Sequence, residues 1–167
     1  LPPGQSCVLL LNSEATRKNV RIAAPDVRRE GEVDVKHPVS EQEAGAWLED
    51  FKRAVEDRDI AALSSLFTPD CDLQGRQYMT SVHGHAALER HWRDCVFEHQ
   101  RDNSLSYEIW ATRDDACFVR WRASYTWLPI NGFVELDGVF RLSFVRGENA
   151  KLVCRELQEW VDYREVG

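Results

Sequence analysis

Hydrophobic and polar positions alternate between Cys117 and Trp127, with Phe118 the one exception. Val119, Trp121, Ala123, Tyr125 and Trp127 fall on one face; Arg120, Arg122, Ser124 and Thr126 fall on the other. A period of two with one apolar side predicts a strand with one buried face. After the turn Pro129-Ile130-Asn131-Gly132 the pattern resumes, with Leu136, Gly138, Phe140, Leu142 and Phe144 set against Glu135, Asp137, Arg141 and Ser143. A second turn around Gly147-Glu148-Asn149 leads into a third strand, Leu152 to Asp162. These three antiparallel, aromatic-rich strands predict a curved wall that other elements must cover.

The covering elements precede the wall. Ser40-Glu41-Gln42-Glu43 reads as a capping box. Ala44, Trp47, Leu48, Phe51 and Val55 then recur at helical spacing, one face of an amphipathic helix. Asp59 caps a second short helix, Ile60 to Phe67, which Pro69 stops. A short strand at Cys71–Gln74 and a polar loop through Tyr78 and Met79 follow. A helix from about His85 to Gln100 carries Leu88, Trp92 and Val96 as its buried stripe, and Ser104–Thr112 reads as a further strand. Helices first and a strand meander afterwards predict an α+β layer architecture. Residues 1–39 stand apart: they hold Pro2, Pro3, Pro25 and Pro38 and no Phe, Trp or Tyr. They read as an N-terminal extension, with an extra strand or a dimer arm as alternatives, and residues 40–167 as the folded domain.

Composition narrows the function. A chain of 167 residues fits one domain, and a net charge of −7 excludes the basic face that nucleic acid requires. No run approaches the ~18 apolar residues of a membrane helix. The five cysteines are scattered, with no Cys-x-x-Cys spacing, and Cys71, Cys117 and Cys154 fall in predicted strands as small hydrophobes. A reducing, cytoplasmic setting is expected. His91, Cys95 and His99 share one side of the expected helix, but i and i+8 lie about 12 Å apart along an α-helix, too far for both histidines to hold one ion. That stripe is expected to be core or interface, His83 and His85 to be capping or rim residues, and no metal or other cofactor is expected.

Four segments resemble nuclear transport factor 2-like, or SnoaL-like, domains: Asp57 to Asp70, His83-Gly84-His85-Ala86-Ala87-Leu88 leading to Trp92, Leu136 to Phe144, and Leu157 to Asp162. The resemblance covers roughly residues 40 to 165. It implies a cone-shaped fold, with a curved antiparallel sheet wrapped around N-terminal helices, an internal apolar cavity, and frequent homodimers. It does not imply one activity, since the family includes isomerases, dehydratases, epoxide hydrolases, cyclases and non-catalytic modules. The isomerase base would fall at Gln74-Gly75-Arg76, its oxyanion tyrosine near Phe51 and its second acid near Gly138, so that set does not carry over. The dehydratase uses histidines on sheet strands, and no predicted strand here carries one. Of the epoxide hydrolase's Asp-Arg-Asp set, two members would fall near Trp121 and Ala123, and one acid survives, as Glu159.

What the pattern and the resemblance leave is a small apolar molecule bound against Trp47, Phe51, Val55, Tyr78, Trp121, Tyr125, Trp127, Phe140 and Leu157. Any one of these aromatics can equally be plain core, since burial alone justifies its presence. Glu159 shares a face with Leu157 and Val161 and is the candidate general base; Asp162 is a weaker second acid. In an apolar pocket the Glu159 carboxyl would have a raised pKa. The alternative is a bulge between Cys154 and Leu157 that turns Glu159 outward toward Arg120 or Arg155. Two functions fit: proton-transfer chemistry (isomerisation, cyclisation, dehydration or hydrolysis), or a non-catalytic ligand-binding or dimerisation module.

Overall fold

The computed structural model describes residues 38–75 and 81–166, and in the last of these, 163–166, the backbone alone. The expected N-terminal extension and Tyr78 therefore lie outside the described residues, apart from Pro38 and Val39.

Helix α1, Glu41–Glu56, begins where the capping box places it. The Glu43 amide donates to Ser40 Oγ at 3.2 Å and the Ser40 amide donates to Glu43 Oε2 at 3.0 Å, so two otherwise orphaned donors are satisfied. Its apolar face, including Ala44, Trp47, Leu48 and Phe51, is buried. Helix α2, Ile60–Ser65, is capped by Asp59, whose Oδ1 accepts from the Ala62 amide at 2.9 Å. It ends earlier than expected, because Phe67–Gln74 is already strand β1. Pro69 sits inside β1 where the pairing register shifts, so its missing N–H leaves no ladder bond broken.

The short edge strand β2, Val82–His83, is followed by helix α3, His85–Arg90. Here the expectation of one α-helix to Gln100 is corrected. Residues His91–Phe97 form a π-helix, and strand β3 starts at Gln100. Strands β3 (Gln100–Arg113), β4 (Ala116–Trp127), β5 (Gly132–Arg146) and β6 (Leu152–Val166) complete one six-stranded sheet in the order β2-β1-β6-β5-β4-β3. All neighbours are antiparallel except β1 and β6.

The helices lie on the inner face of the curved sheet. Polar contacts hold α1 to β3: Glu56 Oε1 accepts from the Leu105 amide at 2.9 Å, and Tyr107 Oη donates to Glu49 at 2.6 Å and lies 3.3 Å from the Gly45 carbonyl. The core between them is aromatic, with Trp47 stacked on Phe51 at 5.2 Å between centroids and edge-on to Phe67 and Phe144. The outer face is charged. Arg120 and Arg122 both pair with Asp137, Arg141 reaches Glu156, and Arg155 reaches Asp115, a looser arrangement than a single cross-strand ladder.

Candidate functional site

A cavity of about 210 Å³ lies between the inner sheet face and the helices. Phe51 and Val55 from α1, Trp121 and Tyr125 from β4, Phe140 from β5 and Leu157 from β6 all line it. Trp121 stacks on Phe140, with ring centroids 4.8 Å apart and planes 14° from parallel. This stacking depends on Gly138, the cross-strand partner of Trp121. A Cβ at position 138 would stand 2.8 Å from the indole Cε2 and 2.5 Å from the Trp160 carbonyl oxygen.

Two expected lining residues and the weaker candidate acid fall elsewhere. Trp47 is 2% exposed but belongs to the core rather than the cavity wall; its Nε1 donates to the Leu66 carbonyl at 3.0 Å. Trp127, at the end of β4, packs instead on His99, 5.3 Å between ring centroids. Asp162 is exposed and pairs across the strands with Asp137, on the outer face.

Glu159 lines the cavity beside Leu157 and Val161, and the cause is a bulge. On β6, Glu156 pairs with Ser143 and Cys154 with Phe144, which leaves Arg155 as an extra residue. Cys154 and Leu157 are consequently both buried although three residues apart. The bulge considered in the alternative is real, and it sets Glu159 inward, not outward toward Arg120 or Arg155.

The π-helix adds a residue that α-helical periodicity misses. With more residues per turn than an α-helix, it brings His91 to the cavity beside Trp92 and Val96 of the expected stripe. The expected i, i+4, i+8 stripe does not form, and His99 leaves the helix to meet Trp127. Burial lowers the His91 pKa, which keeps the imidazole neutral at pH 7. Among the described lining residues, His91 and Glu159 are the side chains that ionise near neutral or acid pH, and none is a lysine or arginine. His83, contrary to expectation, does lie on a strand, but it is exposed and pairs with Asp72 at 2.9 Å, apart from the cavity. His85 Nε2 contacts the Phe67 carbonyl at 2.8 Å.

Three lining side chains hold buried N–H donors that lack a partner: Trp92 Nε1, Asn103 Nδ2 and Trp121 Nε1. An unmade hydrogen bond of this kind costs about 1–3 kcal/mol. Asn103 lies in a second bulge, between Arg101 and Ser104 of β3, where Asp102 has a φ of 56°. Sequence reading passed over Asn103 because nothing in the local pattern marks it. A larger groove of about 340 Å³ lies on the outer face, lined by Ser106, Arg122, Glu135 and Asp137 among others. Its arginine is already engaged, Arg122 pairing with Asp137 at 3.4 Å, so the inner cavity is the better candidate site. No group of three or more His, Cys, Asp or Glu residues suited to a metal ion occurs among the described residues.

The SnoaL-like domain profile matches residues 48–152, and the chain belongs to that family. No curated protein sequence matches it. Solved structures show the fold at low identity. The hexachlorocyclohexane dehydrochlorinase LinA-type3 from Novosphingobium barchaimii LL02 superposes with a TM-score of 0.62 at 11% identity, over 77% of this chain and 95% of that one. ActVI-ORFA from Streptomyces coelicolor gives 0.59 at 13%, over 72% and 96%. A ketosteroid isomerase-like protein from Erwinia carotovora atroseptica gives 0.56 at 20%, over 72% and 96%. The architecture, a few N-terminal helices against an open, curved six-stranded sheet, is therefore the nuclear transport factor 2-like fold. Among the described residues no helix is long and apolar enough to cross a membrane.

Proposed function

We propose that the chain binds a small, largely apolar molecule in the inner cavity and moves a proton on it, with Glu159 as the base. The observation that carries this reading is a pair of ionisable side chains lining a mostly apolar cavity: Glu159 from the sheet and His91 from the π-helix. The Glu159 carboxylate takes a proton from a substrate carbon, and the electron pair left behind spreads into the substrate. His91, neutral at pH 7, is the group that can accept or return a proton on the other side. Positioned acid–base groups of this kind typically contribute about 10²–10⁴-fold in rate. The diverse activities named for the structural neighbours are compatible with proton transfer but do not select a reaction.

The same reading takes the protein as a cytoplasmic homodimer, with no nucleic acid or membrane partner and no cofactor. Support for self-association comes from the outer sheet face, where Trp160 and Phe133 are 49% and 47% exposed beside the Arg120–Asp137 pair. Cys71, Cys117 and Cys154, free and buried, fit a reducing setting.

Isotope exchange tests the chemistry. A panel of small mono- and bicyclic carbon acids is incubated with the protein in deuterium oxide. Incorporation above the solution rate, lost in Glu159→Gln and reduced in His91→Gln, is the expected result. Binding without any exchange would replace this reading with the non-catalytic ligand-binding module.

A further inference from the structure

Arg58 stands in a backbone conformation that its residue type avoids. Helix α1 ends in a Schellman turn: the Arg58 amide donates to the Val55 carbonyl at 3.2 Å and the Asp59 amide to the Ala54 carbonyl at 2.9 Å. The turn holds Arg58 at a φ of 57°, the left-handed region where glycine is the ordinary occupant. Asp102, Asp114, Asn131 and Asn149 are also at positive φ, but their short polar side chains tolerate it; an arginine side chain does not. What the position gains from arginine is a contact with a distant element. A guanidinium nitrogen donates to the Phe97 carbonyl, and the guanidinium lies over the Phe97 ring, 5.6 Å from its centroid.

Phe97 is the last residue of the π-helix. Residues 85–97 suit an α-helix, since Leu88, Trp92 and Val96 keep α spacing and no glycine or proline intervenes. The wider turn is therefore imposed from its ends. Leu88 is fixed in the core at 0% exposure, and Phe97, buried beneath Arg58, packs on Trp92 with centroids 5.5 Å apart. Just beyond, the His99 carbonyl accepts from the Leu128 amide at 2.8 Å. Between these anchors the Glu98 amide donates to the Arg93 carbonyl, five residues back, at 2.9 Å. The register decides where His91 points. At about 100° per residue, positions 91 and 96 of an α-helix would point about 140° apart. A helix closed by i→i+5 bonds stacks them on one side, and His91 and Val96 do line the cavity together. We propose that Arg58 is a positioning residue, which clamps Phe97 and so holds 91–97 in the π register that keeps His91 on the cavity wall. This role rests on the reading of His91 as a proton-moving group and adds the residue that sets its place.

Two variants of the full-length chain test the clamp. Arg58→Gly removes the guanidinium and leaves the residue that the left-handed turn accepts best, so it should fold. Arg58→Lys keeps a cation and a donor. Through-hydrogen-bond NMR couplings identify the acceptor of the Glu98 amide. It is expected to be the Arg93 carbonyl in wild type and in Arg58→Lys, and the Asp94 carbonyl, one residue nearer, in Arg58→Gly. In Arg58→Gly the His91 imidazole should then titrate closer to its ordinary 6.5, as it leaves the buried site that lowers its pKa. Carbon-acid exchange should fall at least about tenfold in Arg58→Gly, and adding Arg58→Gly to His91→Gln should lower it no further, because both changes act on one group. An Arg58→Gly protein that keeps the Arg93 acceptor, or loses it while His91 titrates as in wild type, overturns the proposal. Losses that add in full in the double variant overturn it as well. Register and titration are read without turnover, so the two ideas separate. A register change in a protein that catalyses no exchange removes the proton-transfer reading and leaves the clamp. Exchange that is lost in His91→Gln but intact in Arg58→Gly removes the clamp alone.

Discussion

The indole of Trp121 occupies the space that a side chain on Gly138 would fill: a Cβ there would lie 2.8 and 2.9 Å from its Cε2 and Cζ2. The glycine is thus a condition for the Trp121–Phe140 stack, and the stack forms one wall of the cavity. Gly138→Ala should therefore destabilise the fold by about 1–3 kcal/mol, the usual cost of overpacking, because the Trp160 carbonyl on the other side is backbone and cannot rotate away. Denaturant titration checks this, and a midpoint within error of wild type would mean that the indole lies elsewhere.

Trp47 and Trp121 are similarly buried, at 2% and 4% exposure, but they should answer differently to substitution. Trp121→Ala removes a core ring and should cost about 3–5 kcal/mol. Trp47→Phe keeps the ring and loses the bond to the Leu66 carbonyl, which the Cys154 amide also engages at 2.9 Å. Its cost should stay near 1 kcal/mol. Ligand binding should survive Trp47→Phe, because Trp47 does not line the cavity. A Trp47→Phe variant that folds normally but loses binding would show that the cavity extends past Phe51.

These two tryptophans also mark the limit of what the sequence makes legible. The strands from Ala116 onward are readable because period-two alternation is imposed by the pleat itself, and α1 because its cap and apolar stripe agree. Both tryptophans sit on apolar faces, and only the path of Leu66 past Trp47 decides which indole is satisfied. The π-helix is hidden for a related reason: Leu88, Trp92 and Val96 fit α spacing, and no glycine or proline interrupts 85–97. The β6 bulge is set by pairing with β5. From sequence, Cys154 and Leu157 cannot both face inward on one regular strand, and the extra Arg155 lets them do so. The parallel pairing of β1 with β6 is likewise non-local, so nothing in the local pattern of 67–74 places β1 in the sheet.

The proposed dimer places Trp160 in a contact. Its ring is 49% exposed on the outer face, opposite Val139 across the strands and two positions from Asp162. Trp160→Asp replaces that apolar surface with a charge and should shift sedimentation at micromolar concentration toward the 19.3 kDa monomer, while cavity binding is retained. Wild-type protein that is already monomeric under those conditions removes the proposal. A dimer unmoved by the substitution would place the contact on another face.

Glu43 ties the start of α1 to the end of β5, and acid should loosen that tie. Its carboxylate accepts from Arg146 Nη1 at 2.7 Å and from the Ser40 amide at 3.0 Å. The Arg146 hydrogen bond first, and the Ser40 bonds after it, lower its pKa from 4.5 to about 2. An acid whose folded pKa lies below its unfolded value binds protons more weakly in the folded state. Its contribution to stability is therefore full above about pH 4.5 and is lost as pH falls toward about 2. The pair is partly exposed, with side-chain exposures of 30% for Arg146 and 38% for Glu43, so screening holds the effect below about 1 kcal/mol. Glu43→Gln should lower stability slightly at pH 7 and flatten the decline between pH 4.5 and 2, measured by urea titration at several pH values. Raising salt should shrink the difference between the two proteins, because part of it is coulombic. A decline that keeps its full slope in the Gln variant would assign the acid sensitivity to other carboxylates, with the Asp137 carboxyl, held down to about 2 by Arg120, as the next to test.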